Sequence, residues 1–259
     1  MKFAARTYLV AILAFLYLPI AVLVAMGFNE SPLYALPFHF TTHWYEALGE
    51  NTRLLRASWN SVLIAAVTAV IATTLGTLAA VALSRREFHG KTLLRILLLP
   101  PIAIPWLITG TAMLVFFFWT GIGRGTHAIL IGHVALAIPY VVLVVGTGLT
   151  TVRTDLEEAA MSLGARPAGA FFLVTLPLLL PSIVGAALFA FAVSLDQFVV
   201  SYFLATPGSS TLPVEIYSAI RKGFTPEINA ICTILLGGSM SLFLLFAVFS
   251  RPGAPRDRR

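Results

Sequence analysis

Apolar runs long enough to cross a bilayer recur from one end of this chain to the other. A spanning helix needs about 20 consecutive, mostly apolar residues. Six such runs are read, at approximately 8–28, 58–84, 93–119, 128–150, 178–204 and 229–250. Hydrophobic residues make up 58% of the chain and charged residues 11%, against roughly a quarter charged in soluble domains. The expected class is an all-α integral membrane protein, one transmembrane domain over 1–259, with no separate soluble domain.

The segments between the runs carry the charge. A longer segment, 29–57, follows the first run. A short basic loop spans 85–92, a Gly-rich turn 121–126, a charged insert 151–177 and a second loop 205–228. The tail, Arg251 to Arg259, holds Pro252 and Pro255 and is expected to be disordered. With the N-terminus inside, twelve of the 17 basic residues fall on the inner side: Lys2, Arg6, Arg85, Arg86, Lys91, Arg95, Arg153, Arg166, Arg251, Arg256, Arg258 and Arg259. Arg53, Arg56, Arg124, Arg221 and Lys222 fall outside. That bias predicts both termini and the insert 151–177 on the cytoplasmic side. The net charge of +6 is therefore read as topology, with membrane lipid rather than nucleic acid as the surrounding partner. The N-terminal run reaches Phe28, longer than a signal-peptide core, and is read as an uncleaved span.

Prolines interrupt several runs: Pro19, the Pro100, Pro101 and Pro105 cluster, Pro139, Pro177 and Pro181. Pro19 and Pro139 read as kinks, and the cluster as either a kink or a helix broken along a pathway. Gly76, Gly146, Gly148, Gly185, Gly237 and Gly238 are expected at close helix crossings. No internal repeat is found. Cys232, the single cysteine, reads as a small buried apolar residue.

The insert has its own folding instructions. Thr154-Asp155-Leu156-Glu157 fits a capping box, in which Glu157 reaches back to the Thr154 amide. A helix is expected to run to Leu163 and stop at Gly164. Pro167 starts a second short helix, which Leu176-Pro177 would end. With Glu157 occupied by the cap, Glu158 projects outward.

Glu158-Ala159-Ala160, three residues, Gly164, nine residues, then Val174-Thr175-Leu176-Pro177 resembles the EAA motif of ABC importer permeases. Its usual form, E-A-A-x3-G-x9-I-x-L-P, has isoleucine at the place of Val174. The resemblance implies a six-helix type I importer fold and an insert that acts as a coupling helix docked on an ATP-binding subunit. It assigns Glu158, Ala159, Ala160, Gly164, Leu176 and Pro177 to ATPase coupling. It covers nearly the whole chain. Phe40-Thr41-Thr42-His43-Trp44-Tyr45, Ser194-Leu195-Asp196-Gln197-Phe198-Val199-Val200, Leu212-Pro213-Val214-Glu215-Ile216-Tyr217-Ser218 and Thr225-Pro226-Glu227-Ile228-Asn229-Ala230 resemble the C-type permease of spermidine/putrescine importers. Many of those proteins have two adjacent aspartates where this chain has Asp196-Gln197.

The family implies several partners: an ATPase dimer that binds ATP and Mg, a second homologous permease, and an exterior substrate-binding protein, for which loop 205–228 is the candidate surface. It implies a bacterial inner membrane. Independently, no GxxxxGK[ST] loop is present, so the chain is not expected to be an enzyme and its free energy must come from elsewhere. Asp196 is the only acid read within a run. Intramembrane carboxylates usually face a cavity or a partner, so Asp196, with Gln197 and Tyr202, is the candidate substrate pathway; the other reading of Asp196 is a structural hydrogen bond. His133 reads as a helix–helix hydrogen bond. His39 and His43 are read on an amphipathic exterior helix, with Trp44 and Tyr45 at the lipid interface and no metal bound. The alternatives are an importer for another solute (an opine, an aminophosphonate or ferric iron), an ion-gradient-driven transporter, and a non-transporting scaffold.

Overall fold

A computed structural model describes residues 2–32, 35–98, 100–223 and 226–249; the basic tail 251–259 and Thr225 lie outside these. The described chain is almost wholly helical. In order come α1 (Lys2–Met26), α2 (His43–Glu50), α3 (Thr52–Arg85), α4 (Lys91–Leu97), α5 (Pro100–Ala103), α6 (Trp106–Trp119) and α7 (Thr126–Thr151). Then follow α8 (Thr154–Ser162), α9 (Pro167–Ala170), a π-helical turn (Phe171–Thr175), α10 (Leu176–Asp196), α11 (Phe198–Leu204), α12 (Leu212–Lys222) and α13 (Glu227–Phe249). Five helices among the described residues are long and apolar enough to span a membrane, and six if the bent pair Lys91–Ala103 and Trp106–Trp119 is one span.

The third run departs from one straight helix. It bends by 112° between those two pieces, with Pro105 as N-cap of α6 at φ −54°, ψ 132°. A proline ring fixes φ and biases the preceding residue away from helix, so three prolines in six residues break the span. Pro19 and Pro139, by contrast, lie inside the continuous helices α1 and α7.

The chain divides into two compact units, Met1–Arg56 with Glu215–Leu245, and Ala57–Val214 with Phe246–Arg259. In the first, Asn29 is fully buried and organises the segment after α1. Its side chain accepts from His39 N–H (3.1 Å) and donates to the Ala35 carbonyl (3.1 Å), while its own carbonyl accepts from Trp44 Nε1 (2.7 Å). His39 therefore lies in the non-helical segment just before Phe40, which bridges Asn29, and His43 opens α2; they do not share a helix face as expected. Trp44 and Tyr45 are half-buried and packed within the unit, Tyr45 on Phe28 at 4.8 Å between ring centroids. The second loop is likewise not a loop: much of it is α12, tied to α3 by Arg53 Nε and the Glu215 carboxylate, 2.6 Å apart.

The second unit is built around α7. Ile129, His133, Leu136, Val141, Val145 and Leu149 recur at helical spacing and are buried, a stripe of the kind that seats one helix among others. Gly76 of α3 lets that helix approach: a Cβ there would lie 2.6 Å from Val141 Cβ. Gly148 does the same against Ser182 of α10. Gly185 faces Phe246 at 3.6 Å, whereas Gly146, Gly237 and Gly238 meet nothing within 4 Å among the described residues, so close packing holds at three of the six expected glycines. Sequence reasoning missed Gly132, where a Cβ would lie 2.7 Å from Val200 of α11, and Gly110, where it would lie 3.0 Å from Phe203. Cys232 is half-buried rather than buried.

Candidate functional site

The insert between α7 and α10 folds as two short helices, but its start is not the expected capping box. The N-cap is Arg153 (φ −68°, ψ 132°), with no side-chain cap, and Thr154 is already helical. Arg153 instead grips Asp155 through two bonds of 3.0 and 2.5 Å. Glu157 turns inward. Its carboxylate lies 3.3 Å from Arg85 Nη2 at the end of α3 and accepts the Thr175 hydroxyl. Arg85 Nη2 also reaches the Val152 carbonyl at 3.3 Å. A guanidinium only 20% exposed is a stronger partner for a carboxylate than a water-facing amide, so the cap loses the competition.

The end of α8 follows expectation. Gly164 has φ +93°, a conformation that favours glycine. Gly164 N–H donates to Met161 O (2.9 Å) and Ala165 N–H to Ala160 O (3.0 Å), the paired bonds of a Schellman ending. Pro167 opens α9. Leu176-Pro177 does not end that helix: α9, the π turn and α10 run on as one apolar segment, Pro167–Asp196. A proline inside a helix removes one amide and crowds the preceding turn. Here the widened π turn at 171–175 ends two residues before Pro177 and eases both effects.

The surface left outward is specific. Glu158 and Ala159 are exposed, Ala160 and Leu176 half-buried, and Gly164 and Pro177 exposed. No ion pair engages Glu158 among the described residues. Around it, Leu163 is 90% exposed, with Leu156 and Met161 also uncovered. A groove of about 820 Å³ runs beside them, lined by Arg85, Arg86, Glu157, Glu158, Met161 and Phe172 among others. Apolar side chains clustered with a lone carboxylate on an outward face mark an interaction surface.

The second candidate is the fifth run, which is not a continuous helix over 178–204. It breaks at Gln197 (φ −70°, ψ 95°), between α10 and α11. Asp196, expected within the run, is the last residue of α10 and is exposed. Gln197 is 1% exposed, and neither amide atom has a hydrogen-bond partner among the described residues. Tyr202 is 42% exposed, with its ring against Phe198 and Phe203. Asp196 and Gln197 are thus adjacent at a break, one outward and one inward. His133 makes the expected interhelical hydrogen bonds, at 2.8 Å to Ser194 Oγ and 3.0 Å to Ser201 Oγ. Sequence reasoning did not see that these two serines flank the break, because neither proline nor glycine marks it.

The model of the binding-protein-dependent transport system inner membrane component matches residues 72–251, which hold both the insert and the break. The chain belongs to that family. It is 38% identical over 231 residues to the putrescine transport system permease protein PotI of Escherichia coli K12, covering 86% of this chain and 82% of that one. It is 35% identical over 250 residues to the spermidine/putrescine transport system permease protein PotC of Haemophilus influenzae, covering 96% and 97%. Among solved structures, a bacterial alginate ABC transporter, crystallised with an alginate pentasaccharide-bound periplasmic protein, aligns with TM-score 0.73 over 96% of this chain and 93% of that one at 16% identity. The methionine ABC transporter MetNI aligns with TM-score 0.63 over 76% and 94% at 21% identity. At such identities the likeness is one of fold, and the fold is that of ABC importer permeases. This permease is therefore a multi-pass inner-membrane transport subunit of a binding-protein-dependent importer, and ATP hydrolysis belongs to a separate subunit.

Proposed function

We propose that this permease carries polyamines, putrescine or spermidine, inward as one half of a heterodimer with a second homologous permease. The observation that carries the reading is the near-full-length similarity, at 35–38% identity, to permeases named for those substrates. Asp196 supports it chemically. A polyamine is a flexible polycation, and a carboxylate at a helix break within an apolar segment offsets its desolvation by charge pairing. Gln197 and Tyr202 are neutral neighbours for the same chain of amines.

In this reading both termini and the insert are cytoplasmic. An ATPase dimer, which binds the ATP and Mg²⁺, docks against Glu158, Ala159, Ala160 and the exposed Leu163 at the tight Gly164 turn. Leu176 and Pro177 carry the docked insert into α10. ATP binding draws the two inserts together, and Glu157 passes that movement to α3 through Arg85 and to the start of α10 through Thr175. Rocking of packed helices then opens the pathway to alternate sides. The exterior binding protein docks at the segment containing α12.

The test is uptake of labelled putrescine by proteoliposomes holding both permeases, the ATPase and the binding protein. ATP-dependent uptake, competed by spermidine, is expected. Uptake without ATP would move the assignment to a gradient-driven transporter. No polyamine uptake, together with thermal stabilisation of the binding protein by an opine, an aminophosphonate or ferric iron, would move it to that solute.

A further inference from the structure

The break at Gln197 has no local cause. No proline or glycine lies within 194–201, and no side chain caps α11. A helix interrupted inside an apolar segment leaves backbone groups without helical partners, so a tertiary interaction has to hold it open. His133 bonds both sides of the break. Its Nδ1 is 2.8 Å from the hydroxyl of Ser194, three residues before Gln197, and its Nε2 is 3.0 Å from the hydroxyl of Ser201, four residues after it. His133, Ser194 and Ser201 are all buried.

One ring reaches both sides of the break. Positions seven apart on an unbroken α-helix sit about 10.5 Å apart along the axis, at 1.5 Å per residue. An imidazole and its two hydrogen bonds, at the 2.8 and 3.0 Å seen here, reach about 8 Å at most. The serine side chains supply the remaining reach, so one ring spans the break from Ser194 to Ser201. Gly132, next to His133, lets α11 come close enough for this, since a Cβ there would meet Val200 Cγ1 at 2.7 Å.

We infer that His133 is a positioning residue of the transport pathway: by stapling Ser194 to Ser201 it keeps the fifth span broken at Gln197 and so fixes Asp196 at the exposed end of α10. The role in transport rests on the polyamine-permease reading above; the staple itself does not.

The test uses the whole complex in liposomes. In a Cys232→Ala background, Asp196→Cys is modified with a water-soluble cationic thiol reagent, with and without His133→Ala. Loss of the staple lets the helix close, and the modification rate is expected to fall at least about fivefold as access is lost. With Asp196 intact, His133→Ala is expected to lower maximal putrescine uptake about tenfold through the two lost buried bonds. His133→Gln, whose amide offers both donor and acceptor groups, should restore most of both. Ser194→Ala combined with Ser201→Ala should reproduce the loss, and decides the matter if His133→Ala does not assemble. Unchanged thiol reactivity in the alanine variants, or loss of uptake that His133→Gln does not relieve, would overturn the inference. Were the parent complex not to carry putrescine at all, the substrate reading would fail while the thiol comparison still decided the staple.

Discussion

Arg85 Nη2 lies 3.3 Å from the Glu157 carboxylate, joining the end of α3 to the first turn of the insert helix α8. The same carboxylate accepts the Thr175 hydroxyl from the π turn. One acidic side chain thus links three elements, at about one-fifth exposure on both the arginine and the glutamate. Arg85 Nε is buried with no partner among the described residues, so the arginine relies on Glu157 and the Val152 carbonyl.

Glu157→Ala is expected to weaken the mechanical link rather than the docking surface. A pair at this exposure lies between surface and buried cases, so its loss costs on the order of 1–2 kcal/mol. The insert would still meet the ATPase, while movement of the insert would reach α3 less completely. The expected signature is more ATP hydrolysed per substrate carried, with the subunits still co-purifying. Exchange of the two charges, Arg85→Glu with Glu157→Arg, should recover part of the lost coupling. An unchanged transport-to-hydrolysis ratio in Glu157→Ala would remove the residue from the transmission path.

Glu158→Lys is expected to separate assembly from stability. The side chain is exposed and engages no ion pair among the described residues, so fold stability should change by less than about 0.5 kcal/mol. A charge reversed at a docking face costs partner affinity. Co-purification of the ATPase with the permease pair measures this directly, and ATPase retention at the parental level would argue for a different contact surface.

Much of the fold was readable because hydrocarbon permits few solutions: apolar runs of spanning length become helices, and four long ones stand near their expected places, while the fifth starts at Pro167 and ends at Asp196 rather than running over 178–204. The end of α8 was readable because a left-handed glycine is a local requirement. What stayed hidden depends on partners distant in sequence. The Thr154 cap looked complete until Arg85, 72 residues earlier in the chain, drew Glu157 away. The break at Gln197 is invisible locally because the residues that hold it, Ser194 and Ser201, act through His133 on another helix. Asp196 was singled out as an acid in an apolar run, but its place at a helix end came only from the structure.

Gly164→Val is expected to damage the insert without touching the spans. Gly164 has φ +93° and open space around its Cα, so the cost is backbone strain, not collision. A β-branched residue in this region costs about 1–2 kcal/mol or more. The turn that aims α9 and the apolar Leu163 would be redrawn. Protease sensitivity within 160–168 should rise while expression holds, and ATPase association should fall. Gly76→Val makes the contrasting case: there the added Cβ would lie 2.6 Å from Val141, so helix packing and expression should suffer first.

Asp196→Asn is expected to abolish polyamine uptake while the complex still assembles. A carboxylate near the bilayer centre is disfavoured by about 2.5–3.5 kcal/mol on insertion scales, so removing the charge does not hinder membrane insertion. Asn keeps the size and a hydrogen-bonding carbonyl, which leaves the break at Gln197 intact. What it removes is the negative charge that pairs with an ammonium group. A purely structural Asp196, bonded through its oxygens, would tolerate the change; a pathway carboxylate would not. The measurement is initial uptake of labelled putrescine at saturating binding protein, normalised to assembled complex. Asp196→Glu, which retains the charge one methylene further out, should keep part of the activity. Normal uptake by Asp196→Asn would return Asp196 to the role of a solvated helix end and leave the cargo to be recognised by the partner permease.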